Sequence, residues 1–309
     1  MRMPSQTIGI DIGGTNLRIG VFEGLRLIKE NRFQADFSII CQQNTPQDAW
    51  QKILTLIANS IQAVLEQYPN VEHVGIGFPG FIDPKTQTIA QSPNLPGLIN
   101  VNLANDLSSV IQKKVKVEND ANAAAVGEFH LFGKPETGMI YLGLGTGVGG
   151  GLILNGKPYV GHHGYAMEVG HIIVEPEGRL CGCGNFGCME QYASASGVSH
   201  TYYKATQKKC TAEDVAKLAR NGRENAVKAY TLAGDKLAQA LATMLKIVDV
   251  QIVVVGGGMA NAWDLMQPSF DARLNQDLIP VLRKKTKVQI STAGDIAGML
   301  GAAMLVSQD

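Results

Sequence analysis

One local unit occurs twice in this chain, and that repetition constrains the fold more than any other feature. Thr7 to Ile12 is apolar and β-branched, breaks at Gly13-Gly14-Thr15, and resumes as the alternating run Leu17, Ile19, Val21 before a second turn at Glu23-Gly24. Met139 to Leu144 breaks in the same way at Gly145-Thr146-Gly147 and continues as Val148 to Leu154 before Asn155-Gly156. Strand periodicity bounded by glycine turns reads as a β-hairpin, and Asn-Gly is the pair a type I′ turn favours because both central residues take positive φ. Two copies in 309 residues point to two domains, which a chain of this length also needs once a single core stops growing.

Helical and strand patterns alternate around the two hairpins. Trp50, Ile53, Leu54, Ile57, Ile61, Val64 and Leu65 recur at helical spacing, with Pro46 in the first turn, Thr45 and Asp48 as a capping box, and an end before Pro69. Val74 to Phe78 reads as a buried strand stopped by Pro79-Gly80, Leu103 to Gln112 as a helix, Val115 to Glu118 as a short strand and Ala121 to His130 as a helix. Thr211 with Asp214 caps another helix, Ala226 to Val248 is a long one, and Ile252 to Val255 is an apolar run ending on Gly256-Gly257-Gly258. The class is α/β, with an N-terminal domain over 1–122 and a C-terminal domain over 123–293.

Composition removes several classes of function. Lys plus Arg equals Asp plus Glu at 27 each, without charge runs, so nothing marks a nucleic-acid or membrane-surface partner. No stretch approaches the roughly 18 apolar residues of a membrane span, and Met1 to Gln6 lacks the apolar core of a signal peptide, so the expectation is a soluble cytoplasmic protein with a small-molecule partner.

Glycine turns let backbone N–H groups approach a phosphate, because no Cβ stands in the way. Asp11 before the first turn is placed to orient Mg²⁺ through water, and Thr15 and Thr146 add hydroxyl donors. Ordinary tight hairpins explain either turn alone; their recurrence favours a cradle for one triphosphate. Two decoys fail on context. Gly145, Gly147 and Gly150 match a dinucleotide fingerprint, but an apolar strand and an Asn-Gly turn follow where a helix is needed. Gly151, Gly156 and Lys157 begin a Walker loop, but Pro158 replaces its hydroxyl residue. Gly257 and Gly258 are a third close-approach site, suited to an adenine or ribose.

Three of the five cysteines, Cys181, Cys183 and Cys188, fall within eight residues interleaved with Gly182, Gly184 and Gly187, which suits a structural Zn²⁺ knuckle better than a disulfide framework. His171 is the nearest fourth ligand, with His162 and His163 as alternatives. Asp120 stands where a strand gives way to a helix, a position suited to a general base and equally to a helix N-cap. Asn119, Glu168, His171 and Glu190 make the polar set that vicinal hydroxyls require, and Gly80, Ser92 and Asn94 are further substrate contacts, although a proline-rich turn also accounts for the last two.

Asp11-Ile12-Gly13-Gly14-Thr15-Asn16, Gly145-Thr146-Gly147 through Gly151, Asn119-Asp120-Ala121-Asn122, Glu168 with His171, and Cys181, Cys183, Cys188 with Glu190 together resemble the ROK family (repressors, open reading frames and sugar kinases) along essentially the whole chain. The resemblance implies an actin-like or hexokinase-like fold of two α/β domains with a central cleft. It implies ATP, Mg²⁺ and structural Zn²⁺, with Asp120 as base on a sugar 6-hydroxyl. Asn119, Glu168, His171 and Glu190 would bind the sugar, His171 also holding zinc. The C-terminal segment 294–309 would return to the N-terminal domain, and homodimers are expected. Val248-Asp249-Val250-Gln251 departs from the Asp-Pro-Asp common in relatives. Ser92 to Gly97 and Glu190 to Ser194 look most like glucokinases; N-acetylglucosamine, N-acetylmannosamine and fructose kinases share the catalytic set. A sugar-responsive repressor needs a helix-turn-helix, for which the expectation leaves no room ahead of Asp11.

Overall fold

The computed structural model describes residues 5–13, 16–92, 95–135 and 138–307. They form two compact units: Met1–Glu136 with Gly151–Ala166 and Asp295–Asp309, and Thr137–Gly150 with Met167–Gly294.

In the first unit β1 (Gln6–Ile12), β2 (Asn16–Glu23) and β3 (Arg26–Gln34) make an antiparallel meander. Helices α1 (Phe37–Gln43) and α2 (Pro46–Leu65) lead to β4 (Val71–Phe78), parallel to β1. Thr45 caps α2 by accepting the Asp48 N–H at 3.2 Å, and its hydroxyl donates to the Asp48 carboxylate at 2.8 Å, so the expected cap forms while the reciprocal bond of a capping box, from the Thr45 backbone N–H, is replaced by this side-chain contact. Ile53, Ile57 and Ile61 on one face of α2 join Ile8, Ile10, Val74 and Ile76 in one core.

A small sheet of β5 (Phe81–Ile82), β6 (Ile89–Gln91) and β7 (Ile99–Val101) precedes α3 (Leu103–Ile111), β8 (Lys114–Asn119) and α4 (Asp120–Leu131). The main sheet has the order β3-β2-β1-β4-β8. Its register puts Asp11 level with Gly77, and Gly77 level with Glu118, across three parallel strands. The first glycine turn and Asp120 therefore leave the sheet at the same carboxyl edge, where open α/β sheets bind ligands.

Beyond α4, β9 (Met139–Leu144) turns into β10 (Val148–Leu154), whose end pairs with β11 (Lys157–Pro158). Asn155 and Gly156 have φ of 51° and 76°, the two positive values of a type I′ turn. The strand after Gly147 and the strand setting of Pro158 remove both decoy readings.

The second unit continues with α5 (Glu190–Ala193), α6 (Ala195–Thr206), α7 (Ala212–Arg220), α8 (Glu224–Val248), β12 (Ile252–Gly256), α9 (Trp263–Asp277) and β13 (Lys287–Ile290). Strands β9, β12 and β13 run parallel in that order, and Val253, Val254 and Val255 are wholly buried, as the unbroken apolar run requires. Thr211 and Asp214 form the full reciprocal capping box of α7. Asp249, in the departing segment, closes α8 with a left-handed φ of 45°. Among the described residues no helix is long and apolar enough to cross a membrane.

The last helix, α10 (Ile296–Ser307), belongs to the first unit and packs on β1, β4 and α4. It approaches to backbone distance. A Cβ on Gly75 would run into the Ala302 carbonyl, and one on Gly127 into that of Ala297. Backbone atoms cannot rotate aside as side chains do, so Gly75→Ala is expected to lower unfolding stability by about 3 kcal/mol, read as a reduced denaturation midpoint of the first unit.

Candidate active site and metal centre

At the carboxyl edge of the first sheet, the Gly13 N–H donates to the Asn16 carbonyl at 2.9 Å and closes the turn. Gly14 and Thr15 lie outside the described residues. Asp11 faces its cross-strand partner Arg18 at 3.8 Å, and Arg18 is drawn more closely to Asp295 at 2.5 Å. Burial raises the Asp11 carboxyl above its ordinary range, and Arg18 opposes that rise. A carboxylate only loosely matched by its cation suits Mg²⁺, which is bound by one or two carboxylates together with substrate phosphate oxygens.

Asn119, rather than Asp120, is the N-cap of α4. Its side-chain oxygen accepts the N–H groups of Ala121 and Asn122 at 3.0 and 3.1 Å, and its amide donates to the Gly80 carbonyl at 3.1 Å. Asp120 is the first helical residue, half-buried, with one oxygen accepting the Ala121 N–H at 2.8 Å. The capping duty that competed with a base role for Asp120 thus falls to its neighbour, whose amide keeps one further hydrogen for a hydroxyl. Ser92 is buried and donates to the Pro79 carbonyl at 2.5 Å, tying down the turn that presents Gly80; Asn94 lies outside the described residues.

In the second unit the Gly145 N–H donates to the Gly147 carbonyl at 3.0 Å, leaving Thr146 at the tip of the turn. Immediately after it, the Val148 N–H donates to a Glu190 carboxylate oxygen at 2.9 Å, and a Cβ on Gly147 would collide with that same oxygen. Glu190 therefore supports the second glycine turn. Gly143 on β9 and Gly256 on β12 are level in the sheet, so this turn and the triple glycine leave the same edge. Gly257 has a φ of 82°, and a Cβ on it would meet the Leu144 carbonyl. Gly258 opens a short 3₁₀ turn. Tyr141, which nothing in the β9 sequence marks out from its strand neighbours, lies against Gly143 and Gly256, whose missing side chains make room for its ring.

Glu168 precedes a 3₁₀ turn that carries His171. The imidazole has two faces in use: Nε2 stands 3.9 Å from the Glu168 carboxylate and Nδ1 3.7 Å from the Cys181 sulfur. Burial raises the Glu168 carboxyl; His171 opposes the rise and Glu190 adds to it.

One ligand atom from each of His171, Cys181, Cys183 and Cys188 lies within 4.8 Å of every other. Cys183 and Cys188 sulfurs are 3.6 Å apart, close to the roughly 3.8 Å that separates sulfurs around a tetrahedral Zn²⁺ with 2.3 Å bonds. The backbone amide of Asn185 holds the Cys183 thiol below its ordinary value, while burial and the neighbouring thiols push Cys188 up to about 12. Thiols crowded this closely resist ionising together unless a cation offsets their charge, and the one nitrogen and three sulfurs of the set fit structural zinc. Of the three candidate histidines, His171 is the one grouped with the thiols, while His162 and His163 pair ring against ring at 4.7 Å.

Glycine shapes the knuckle where φ demands it: Gly184 and Gly187 have φ of 92° and 78°, and a Cβ on Gly187 would strike the Glu175 carbonyl. Two braces had no sequence signal, being single charges on unremarkable segments. Arg179 donates to the Gln191 carbonyl at 2.6 Å and lies 4.4 Å from the Tyr192 ring centre, and Lys236 on α8 pairs with Glu175 at 2.5 Å. Both hold the knuckle against the helices behind it.

The ROK family model matches residues 7–309. A glucokinase of Thermotoga maritima is 31% identical, the match covering 97% of each chain. An N-acetyl-D-glucosamine kinase of Citrobacter koseri is 32% identical over 96% of this chain and 98% of its own. Among solved structures, a ROK family glucokinase from Streptomyces griseus in complex with glucose and AMPPNP superposes with a TM-score of 0.82 at 31% identity, covering 99% of this chain and 100% of that one.

Proposed function

We propose that this chain, which belongs to the ROK family and has the actin-like, hexokinase-like fold of its sugar kinases, transfers the γ-phosphoryl group of ATP to the 6-hydroxyl of glucose. The observation that carries the reading is the register of the first sheet, which delivers the Asp11 turn and Asp120 to one edge.

Asp120 accepts the proton of the 6-hydroxyl as its oxygen attacks the γ-phosphorus, and the bond to the bridging oxygen of ADP breaks. Gly13, Gly14, Thr15, Asn16, Gly145, Thr146 and Gly147 are the phosphate-binding residues of this reading, and Gly257 and Gly258 its nucleoside-binding residues. Asp11 would hold Mg²⁺ through water, where the ion offsets phosphate charge. Asn119, Glu168, His171 and Glu190 bind the other sugar hydroxyls. Cys181, Cys183, Cys188 and His171 Nδ1 would hold a structural Zn²⁺, and His171 would then present Nε2–H toward Glu168 and the sugar.

The N-acetylglucosamine kinases among the relatives support a second reading, a 2-acetamido sugar as acceptor. A panel of glucose, N-acetylglucosamine, N-acetylmannosamine, mannose and fructose with ATP separates them. Glucose is expected to exceed the acetamido sugars in kcat/KM by about 10- to 200-fold, the range a single pocket group commands, and the reverse order would transfer the assignment to N-acetylglucosamine.

A further inference from the structure

Strand β8 lies at the edge of its sheet, so the backbone N–H groups on its outer side must find partners other than a neighbouring strand. Two of them, two residues apart, are met by side chains. Gln87, held at a left-handed φ of 58° in the turn that begins at Asp83, accepts the Val117 N–H at 2.8 Å. Glu118 accepts the Asn119 N–H at 2.9 Å through Oε1, and the same oxygen accepts the side-chain amide of Asn122 at 3.2 Å.

Asn122 is 2% exposed, and among the described residues its carbonyl oxygen has no partner, so the bond to Glu118 is the one that anchors this amide in the core. A single carboxylate oxygen thereby joins the last residue of the strand to the first turn of α4. Asp120 and Ala121 are the two residues between those attachments. Glu118 is half-buried; burial raises its carboxyl, and the bonds from Asn119 and Asn122 oppose that rise.

We propose that Glu118 is a positioning residue for Asp120, its bridging oxygen clamping the strand-to-helix junction from which the Asp120 carboxylate projects. The inference rests on the reading of Asp120 as base. Displacing a reacting group by about 1 Å costs on the order of 100-fold in rate, so the clamp acts on turnover rather than on binding.

The test is steady-state kinetics with ATP and the hexose that ranks first in the panel, alongside calorimetric sugar binding and thermal melting. Glu118→Met fills the space without an acceptor and is expected to lower kcat about 100-fold, with KM for ATP and sugar affinity within about threefold. Glu118→Gln keeps an oxygen toward both donors and is expected to recover most of the rate. In an Asp120→Asn background, Glu118→Met is expected to cost less than about twofold more, because the two act as one unit. Should Glu118→Met melt out, Asn122→Ser releases only the helix end and is expected to lower kcat about 10-fold. Full turnover in Glu118→Met or Asn122→Ser, additive losses in the double variant, or a Gln variant as slow as the Met variant would each overturn the clamp. An active Asp120→Asn enzyme would instead remove the base and the clamp together.

Discussion

Asp120→Asn is expected to yield a folded protein that binds hexose and ATP normally and turns over about 10³-fold more slowly. General-base catalysis by a placed carboxylate contributes roughly 10² to 10⁴ in rate, and an amide of the same shape accepts no proton at neutral pH. The fold should not suffer. The N-cap of α4 is Asn119, so the substitution leaves the capping bonds to Ala121 and Asn122 in place, and the Asn oxygen can still accept the Ala121 N–H. The loss should therefore appear in kcat with little change in KM, the pattern of an interaction made only in the transition state. Unchanged turnover would remove Asp120 as base.

Cys183→Ser is expected to strip the metal and weaken sugar binding in one step. The wild-type protein should carry about one Zn²⁺ per chain by elemental analysis, and the variant close to none, because a serine hydroxyl is a far poorer ligand than a thiolate. Sugar affinity should fall about 10- to 100-fold, in the range seen when a metal site's supporting contacts are removed. The coupling runs through two residues. His171 presents one nitrogen to Cys181 and the other to Glu168, and Glu190 begins α5 two residues after Cys188 while holding the Val148 N–H. With the knuckle loosened, KM for ATP is also expected to rise, since Glu190 supports the second glycine turn. A metal-free wild type, or a variant that binds sugar as tightly as the parent, would refute the site.

Much of this architecture is local and was legible in residue order. Hairpins announce themselves by period-two alternation ending on glycines, and the type I′ turn at Asn155 and Gly156 follows from the conformations those two residues tolerate. Helices α2 and α7 begin where Thr45 and Thr211 can reach the third residue beyond them. The Cys-Gly knuckle is equally local, since three thiols that meet over eight residues leave their spacing in the chain, with His171 ten residues upstream. One local feature is ambiguous in residue order: Asn119 and Asp120 are both good N-caps, and which one serves depends on where β8 ends, a question of strand pairing with β4.

What the sequence alone determined is the set of hairpin turns, the caps of α2 and α7 and the Cys-Gly knuckle, because each depends on interactions within a few residues. Which strands stand side by side was decided by tertiary structure. Only the sheet order makes Asp11, Gly77 and Glu118 level, brings α10 down onto Gly75, seats Glu190 under the Gly147 turn, and sets Arg179 and Lys236 behind the knuckle. Those contacts join residues far apart in the chain, and the free energy that selects them comes from burying whole faces of helix and sheet, a quantity no short run of residues encodes.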